Sequence, residues 1–216
     1  MARVFVLGAT GGVGSRLIRR FAARGDDTVA LHRRPSQAGQ LAASGAMPVL
    51  GDLTKLDAST LAEQMRGCDA VVFAAGAPDQ GPAAADTVDG TGLATAADAA
   101  LAAGVPRFVH ISAFPDAWRD RGMGADFEHY MKVKRRADVY LATTRLDWVI
   151  IRPGTLTNSP GTGTVRLGPA IDYDTVPRDD VAAVLAEAVH QPHLRRVILE
   201  LTCGSTPVAQ AVADAA

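Results

Sequence analysis

Two cysteines in 216 residues, Cys68 and Cys203, stand far apart and alone, which leaves no disulfide framework and no metal-ligand spacing. Both are expected as free thiols of a reducing compartment, so the cytoplasm is the expected location and no metal site is expected. An excess of charge of one sign is missing too. With 22 basic and 23 acidic residues the formal net charge is -1, so there is no broad basic field and nucleic acid is not an expected partner. Long apolar runs are absent: the alanine-rich stretch 93–105 is interrupted by Asp98 and Gly104, and no membrane span is expected. Residues 4–7 are too short for the apolar core of a secretory signal and run directly into glycine. No internal repeat and no linker divides the chain.

What the chain does have is 48% hydrophobic residues in a strict rhythm, enough for one continuous core, so residues 1–216 are expected as a single domain. Residues 4–7 form an unbroken apolar run ended by glycine, the pattern of a strand covered on both faces. Residues 13–24 repeat apolar positions at helical spacing through Val13, Leu17, Ile18 and Phe21, and Gly25 stops them. Strand and helix then alternate. Strands are expected at 28–32, 47–50, 70–74, 107–111 and 147–151. Helices are expected from a Ser36 cap to Ser44-Gly45, around 59–65, over 86–103 and over 126–143. This alternation predicts an α/β fold, a doubly wound and mostly parallel sheet of Rossmann type with helices on both faces. A ligand is then expected at the carboxyl ends of the strands, at the switch point between strands one and four. The rhythm changes after Arg152-Pro153. Residues 154–168, rich in Gly, Thr and Pro, read as a loop, followed by a helix near 177–190, a strand near 197–201 and a short helix. Residues 153–216 are expected to form the substrate side, with little material for a separate substrate domain.

Gly8, Gly11 and Gly14 lie three apart in Gly8-Ala9-Thr10-Gly11-Gly12-Val13-Gly14, after a strand and before a helix. Glycine permits the tight turn, missing side chains admit a pyrophosphate to the peptide N–H groups, and the helix N-terminus adds partial positive charge. A dinucleotide is therefore the expected cofactor. Strand two ends in His32-Arg33-Arg34-Pro35-Ser36, where an NAD site usually carries an acid for the ribose 2′-hydroxyl. Two guanidiniums, with Ser36 beside them, suit a 2′-phosphate, so NADP(H) is expected rather than NAD(H). Asp26 and Asp27 precede that strand and lie at its wrong end.

Together with that turn, Gly51-Asp52-Leu53, Ala74-Ala75-Gly76, Val88-Asp89-Gly90, Arg107-Phe108-Val109-His110-Ile111-Ser112, Ile151-Arg152-Pro153-Gly154 and Arg178-Asp179-Asp180-Val181-Ala182 resemble the atypical short-chain dehydrogenase/reductase superfamily. The resemblance is to its small NAD(P)-binding, NmrA-like and epimerase-like members, and it spans nearly the whole chain. It implies that Asp52 and Leu53 flank the adenine, that Ala74, Ala75 and Gly76 line the ribose, and that Pro153 and Gly154 approach the nicotinamide. By the same analogy, the helices over 86–103 and 126–143 are the expected faces of a homodimer.

Members of that superfamily often use a Ser–Tyr–Lys set, with Tyr and Lys four residues apart on a helix. Tyr130 and Lys134 have this spacing and so share one helix face. An ammonium beside a phenol favours the phenolate, which suits acid–base work. Ser112, at the end of the fifth strand, is placed to bond a substrate carbonyl, and Lys134 can also reach the cofactor. The family's usual Asn is Asp89 here, an acid that can pair with Lys134 and pin it. These residues predict an NADP(H)-dependent oxidoreductase for a small carbonyl-like substrate. Two alternatives stand beside it: a non-catalytic NADP(H) sensor, and a flavin- or quinone-type reductase with no tyrosine acid. Little chain follows the sixth strand, which argues against a sugar-nucleotide epimerase. His110 reads as packing between sheet and helix, and the run Lys132–Arg136 as a solvated helix face. The segment with Trp118, Gly122, Met123 and Gly124 reads either as a lid or as a packed surface loop.

Overall fold

A computed structural model describes residues 1–77, 80–118 and 121–216. Strand β1 (Arg3–Leu7) leads through the glycine turn into helix α1 (Gly14–Arg24), which ends where Gly25 adopts a left-handed φ of 79°. Next come β2 (Asp27–His32), a 3₁₀ turn (Pro35–Gln37), α2 (Ala38–Ala43), β3 (Ala46–Leu50), α3 (Ala58–Met65) and β4 (Ala70–Phe73). A short turn α4 (Pro82–Ala84) and a π-helical segment (Ala85–Thr91) run into α5 (Gly92–Ala103), followed by β5 (Arg107–Ile111), α6 (Ala125–Thr143) and β6 (Asp147–Pro153). The remainder is β7 (Thr155–Thr157), β8 (Thr164–Gly168), β9 (Thr175–Pro177), α7 (Arg178–His190), β10 (Val197–Cys203), β11 (Thr206–Pro207) and α8 (Val208–Asp214).

The main sheet has the order β11-β8-β10-β6-β5-β4-β1-β2-β3, and its pairs from β10 to β3 are all parallel. Side chains alternate between its faces because successive Cβ atoms in a strand point opposite ways. Val4, Val6, Val72, Val109, Val149 and Ile151 face the layer containing α1, α7 and α8. Phe5, Leu7, Val71, Phe73, Phe108 and Ile150 face α3, α5 and α6. This is the expected α/β architecture with a mostly parallel sheet. Among the described residues, no helix is long and apolar enough to cross a membrane.

Three expectations need correction. Residues 154–168 are not simply a loop: they contain β7, which pairs in parallel with β9, and β8, which runs antiparallel to β10 and β11. Thr and Val suit an edge strand as well as a loop, and only the arrival of β9, for β7, and of β10 and β11, for β8, supplies the missing partners. Ser36 does not cap a helix: it lies inside the 3₁₀ turn, and the Gln37 side chain accepts a hydrogen bond from Arg34 N at 2.9 Å instead. The helix expected to start at Asp86 begins at Pro82 and passes through a π turn that contains Asp89.

Far from the carboxyl ends of the strands, Asp26 ties three segments together. Its carboxylate accepts Ala2 N at 2.8 Å and meets His190 Nε2 at 2.7 Å. Burial alone would raise this carboxyl, but the Ala2 amide and His190 outweigh it and hold it below the ordinary 3.8. A depressed carboxyl stabilises the fold fully above its unfolded value, and that contribution is lost as pH falls through the lower folded value. Urea-unfolding stability is therefore expected to fall with acid below about pH 4, with a shallower slope in Asp26→Asn. An identical acid limb in that variant contradicts this assignment.

Candidate functional site

The carboxyl ends of β1, β2, β3 and β4 open into one groove of about 260 Å³. Gly8, Thr10 and Gly11 form its floor, Arg33 and Arg34 one end, Asp52 and Leu53 one wall, and Ala74, Ala75 and Gly76 the other. It lies at the switch point, where β1 is flanked by β2 and β4. Gly12, Val13 and Gly14 complete the turn behind this floor, with Val13 and Gly14 buried at the start of α1. Sequence reasoning overlooked Gln37, which also lines the groove and donates from Nε2 to Thr10 Oγ1 at 3.1 Å.

The groove has the backbone cradle that a dinucleotide requires. A Cβ on Gly8 would overlap Ala75 N and lie 2.5 Å from Ala74 C and O, so the β1 and β4 loops touch through bare backbone. A Cβ on Gly14 would collide with Gly8 O, so α1 closes directly onto the turn. Ser15 N and Arg16 N already donate to Gly11 O at 3.0 Å and to Val13 O at 3.1 Å, so the amides left for an anion are those of the turn before Ser15, at the positive end of α1. Arg33 and Arg34 are exposed at the end of β2, and Asp27 begins that strand at its far end. Burial tends to raise the Asp52 carboxyl, but the Thr54 hydroxyl at 2.8 Å, the Thr54 amide at 3.0 Å, Lys55 and Arg33 bring it below its ordinary value.

A second cavity, of about 360 Å³, opens beside α6 and the segment after β5; Ser112, Met131, Lys134, Asp138 and Arg152 contribute to its wall. Lys134 is buried, and its Nζ donates to Ile111 O at 2.8 Å and to Asp89 Oδ1 at 3.3 Å. Asp89 is wholly buried in the π turn, and its other oxygen accepts Ala77 N at 2.9 Å. The pair pinned at Lys134 thus joins the strand ends to the loop after β4. Tyr130 is half-buried one helical turn before Lys134 on α6. Pro153 ends β6, and Gly154 is held there by its N–H to Leu201 O at 2.8 Å. Neither is among the wall residues of the two cavities.

One turn beyond Lys134, Asp138 meets Arg152, with Nη2 at 2.9 Å and Nε at 3.0 Å from Oδ2. His110 Nε2 lies 3.6 Å from Asp138 Oδ1, longer than a hydrogen bond. Burial raises the Asp138 carboxyl above its ordinary value, although the Ser112 hydroxyl, Lys134 and Arg152 hold it back. Burial, then Lys134 and Arg152, push the His110 imidazole well below its ordinary value, so the ring is uncharged. His110 packs edge-on to Phe73 between sheet and helix, as its strand position suggests. Sequence reasoning missed Asp138, although a signal was available: Tyr130, Lys134 and Asp138 repeat every four residues and therefore share a helix face. His129 pairs instead with Asp86 at 2.9 Å. Lys132, Arg135 and Arg136 are exposed, whereas Lys134 turns inward. In the segment expected as a lid or surface loop, Trp118 packs on Phe127 with ring centroids 5.7 Å apart. Residues 119 and 120 lie outside the described residues.

A family model described as NAD(P)H-binding matches residues 8–192. The uncharacterized sugar epimerase YhfK of Bacillus subtilis is 35% identical over 212 residues, covering 97% of this chain and 98% of that protein. A Bacillus halodurans protein assigned to the NAD-dependent epimerase/dehydratases superposes with a TM-score of 0.90 at 32% identity, over 99% of this chain and 100% of the other. ChuY, an anaerobilin reductase of Escherichia coli O157:H7, superposes with a TM-score of 0.78 at 25% identity, over 94% and 98%. The cradle, the strand order and these matches agree: the chain belongs to the NAD(P)H-binding family, within the atypical short-chain dehydrogenase/reductase superfamily.

Proposed function

We propose that this chain is an NADP(H)-dependent reductase of a small carbonyl-like substrate. The observation that carries the proposal is the fixing of Lys134, by Ile111 O and Asp89, in the wall of the cavity that also contains Ser112. Arg33 and Arg34 supply two forked cations for a 2′-phosphate, and the glycine turn supplies amides for the pyrophosphate. When bound, the reduced cofactor supplies a hydride. Ser112 steadies the substrate oxygen by donating its hydroxyl hydrogen. Tyr130 delivers a proton to that oxygen, so that a carbonyl becomes an alcohol. Lys134 provides a fixed positive charge that stabilises the tyrosinate left behind. The likeness to an anaerobilin reductase supports a reductive reading, without carrying over that protein's substrate.

NADPH oxidation is to be followed against aldehydes, quinones and flavins. Tyr130→Phe is expected to lower kcat by about 10²- to 10⁴-fold with little change in NADPH affinity, the usual contribution of a positioned general acid. Turnover that survives this change contradicts the tyrosine mechanism and favours the flavin- or quinone-type alternative. Arg33→Ala with Arg34→Ala is expected to weaken NADPH at least about tenfold and leave NADH unchanged, because only the 2′-phosphate contacts are lost. Equal loss for both cofactors contradicts the NADP preference. A second reading, a sensor that binds NADP(H) without turnover, is favoured by Asp89, whose carboxylate neutralises the Lys134 ammonium. Micromolar NADPH binding with no turnover across the panel selects it.

A further inference from the structure

The seven-residue turn from Gly8 to Gly14 contains no cationic side chain, although a pyrophosphate brings two negative charges to it. The partial charge of the α1 N-terminus, roughly half an elementary charge, covers only part of that. Arg16, the nearest cation on α1, is already occupied: it donates to Gly12 O at 2.7 Å and pairs with Asp179 at 3.3 Å.

The missing charge comes from the other end of the chain. Arg178, the first residue of α7, lies across Gly12, where a Cβ would sit 2.9 Å from its Cδ and Nε. Glycine at position 12 is therefore what makes room for this guanidinium beside the turn. Arg178 Nη1 donates to two neutral acceptors, Leu156 O at 3.2 Å and Asn158 Oδ1 at 3.1 Å. Among the described residues, no carboxylate pairs with this guanidinium, and its Nε and Nη2 have no hydrogen-bond partner. The acids next to it in sequence are otherwise engaged. Asp179 holds Arg16, while the wholly buried Asp180 accepts Thr162 N and Gly163 N, each at 2.9 Å. A fixed guanidinium with free donors and no counter-ion, set against a phosphate-binding turn, is a built anion contact.

We propose that Arg178 is a cofactor-binding residue that holds the pyrophosphate of NAD(P)(H) from the side of the turn opposite the 2′-phosphate arginines. The proposal rests on the assignment of the groove to a dinucleotide. It gives the β7–β9 pair and the segment between β7 and β8 a purpose, since they carry the two acceptors that aim the guanidinium.

The test measures dissociation constants by NADPH and NADH fluorescence, and that of adenosine 2′-monophosphate by calorimetry. Arg178→Met is expected to weaken NADPH and NADH by the same factor, about ten- to a hundredfold, as loss of charge-assisted hydrogen bonds does. Adenosine 2′-monophosphate, which has no pyrophosphate, is expected to bind as before. Arg178→Lys, which keeps the charge and loses the fork, is expected to fall between wild type and Arg178→Met. Unchanged NADPH and NADH affinity in Arg178→Met overturns the proposal, even if its thermal midpoint drops, because Arg178 would then be a strut alone. Equal weakening of adenosine 2′-monophosphate also overturns it, since the whole groove has then collapsed. Failure of the unaltered protein to bind either dinucleotide removes the assignment of the groove itself and is seen before any variant is made.

Discussion

Alanine at Gly8 is expected to abolish dinucleotide binding and to destabilise the fold by roughly 3 kcal/mol, the sum of about 1–2 for left-handed backbone and about 1–3 for overpacking. Gly8 has φ 83°, and its missing Cβ would overlap the backbone of Ala74 and Ala75. That backbone cannot retreat freely, because Ala74 N bonds Leu7 O at 2.8 Å and so locks the β4 loop to the end of β1. Relief can come only by spreading β1 from the loop after β4, which widens the groove where a pyrophosphate must meet backbone amides. Gly67 separates the two costs. Its φ of 75° is similar, but nothing lies within 4 Å of its Cβ position, so alanine there meets backbone strain alone. Urea unfolding of both variants, with NADPH titration, measures the difference. If Gly8→Ala costs no more than Gly67→Ala, close approach of the two loops is not what requires glycine.

The second large effect is expected at Lys134. Replacement by methionine keeps most of the side-chain volume but leaves the Asp89 carboxylate, 0% exposed, with the Ala77 amide as its one remaining hydrogen-bond partner among the described residues. Removing one partner of a buried ion pair typically costs about 3–5 kcal/mol, because the remaining charge is stranded away from water. Asp89→Asn added to Lys134→Met is expected to recover most of that loss: a neutral amide can still accept Ala77 N, and no uncompensated charge remains. Turnover is not expected to return, since the fixed cation proposed to stabilise the tyrosinate is gone. Chemical denaturation and kinetics on the two single variants and the double variant form a cycle that reads the coupling directly. Full stability in Lys134→Met, or restored turnover in the double variant, contradicts the role given to the pair.

Much of this architecture was legible because it is local. The apolar run of β1, the three spaced glycines and the amphipathic α1 are neighbours in sequence, and each constrains the next. The same holds for Arg33 and Arg34, which follow β2 and so arrive at the carboxyl edge wherever that strand lies. Tyr130, Lys134 and Asp138 share a face by helical spacing alone, although the value of Asp138 was not evident until Arg152 and His110 came to meet it. Each of those belongs to a different strand, on the α6 side of the sheet.

The chain alone thus determined the α/β order, the glycine cradle and the basic end of β2, for their physical causes act within a turn or one strand–helix unit. Tertiary structure alone decided three things. It turned the Gly, Thr and Pro segment after β6 into β7 and β8 by bringing β9 and β10 alongside. It seated Asp89, in a π turn, against Lys134 from a separate helix. It laid Arg178 over Gly12, with 165 residues of chain between them. In each case one partner's chemistry is complete only when a distant segment supplies the missing strand, counter-ion or space, and nothing in local propensity encodes that distance.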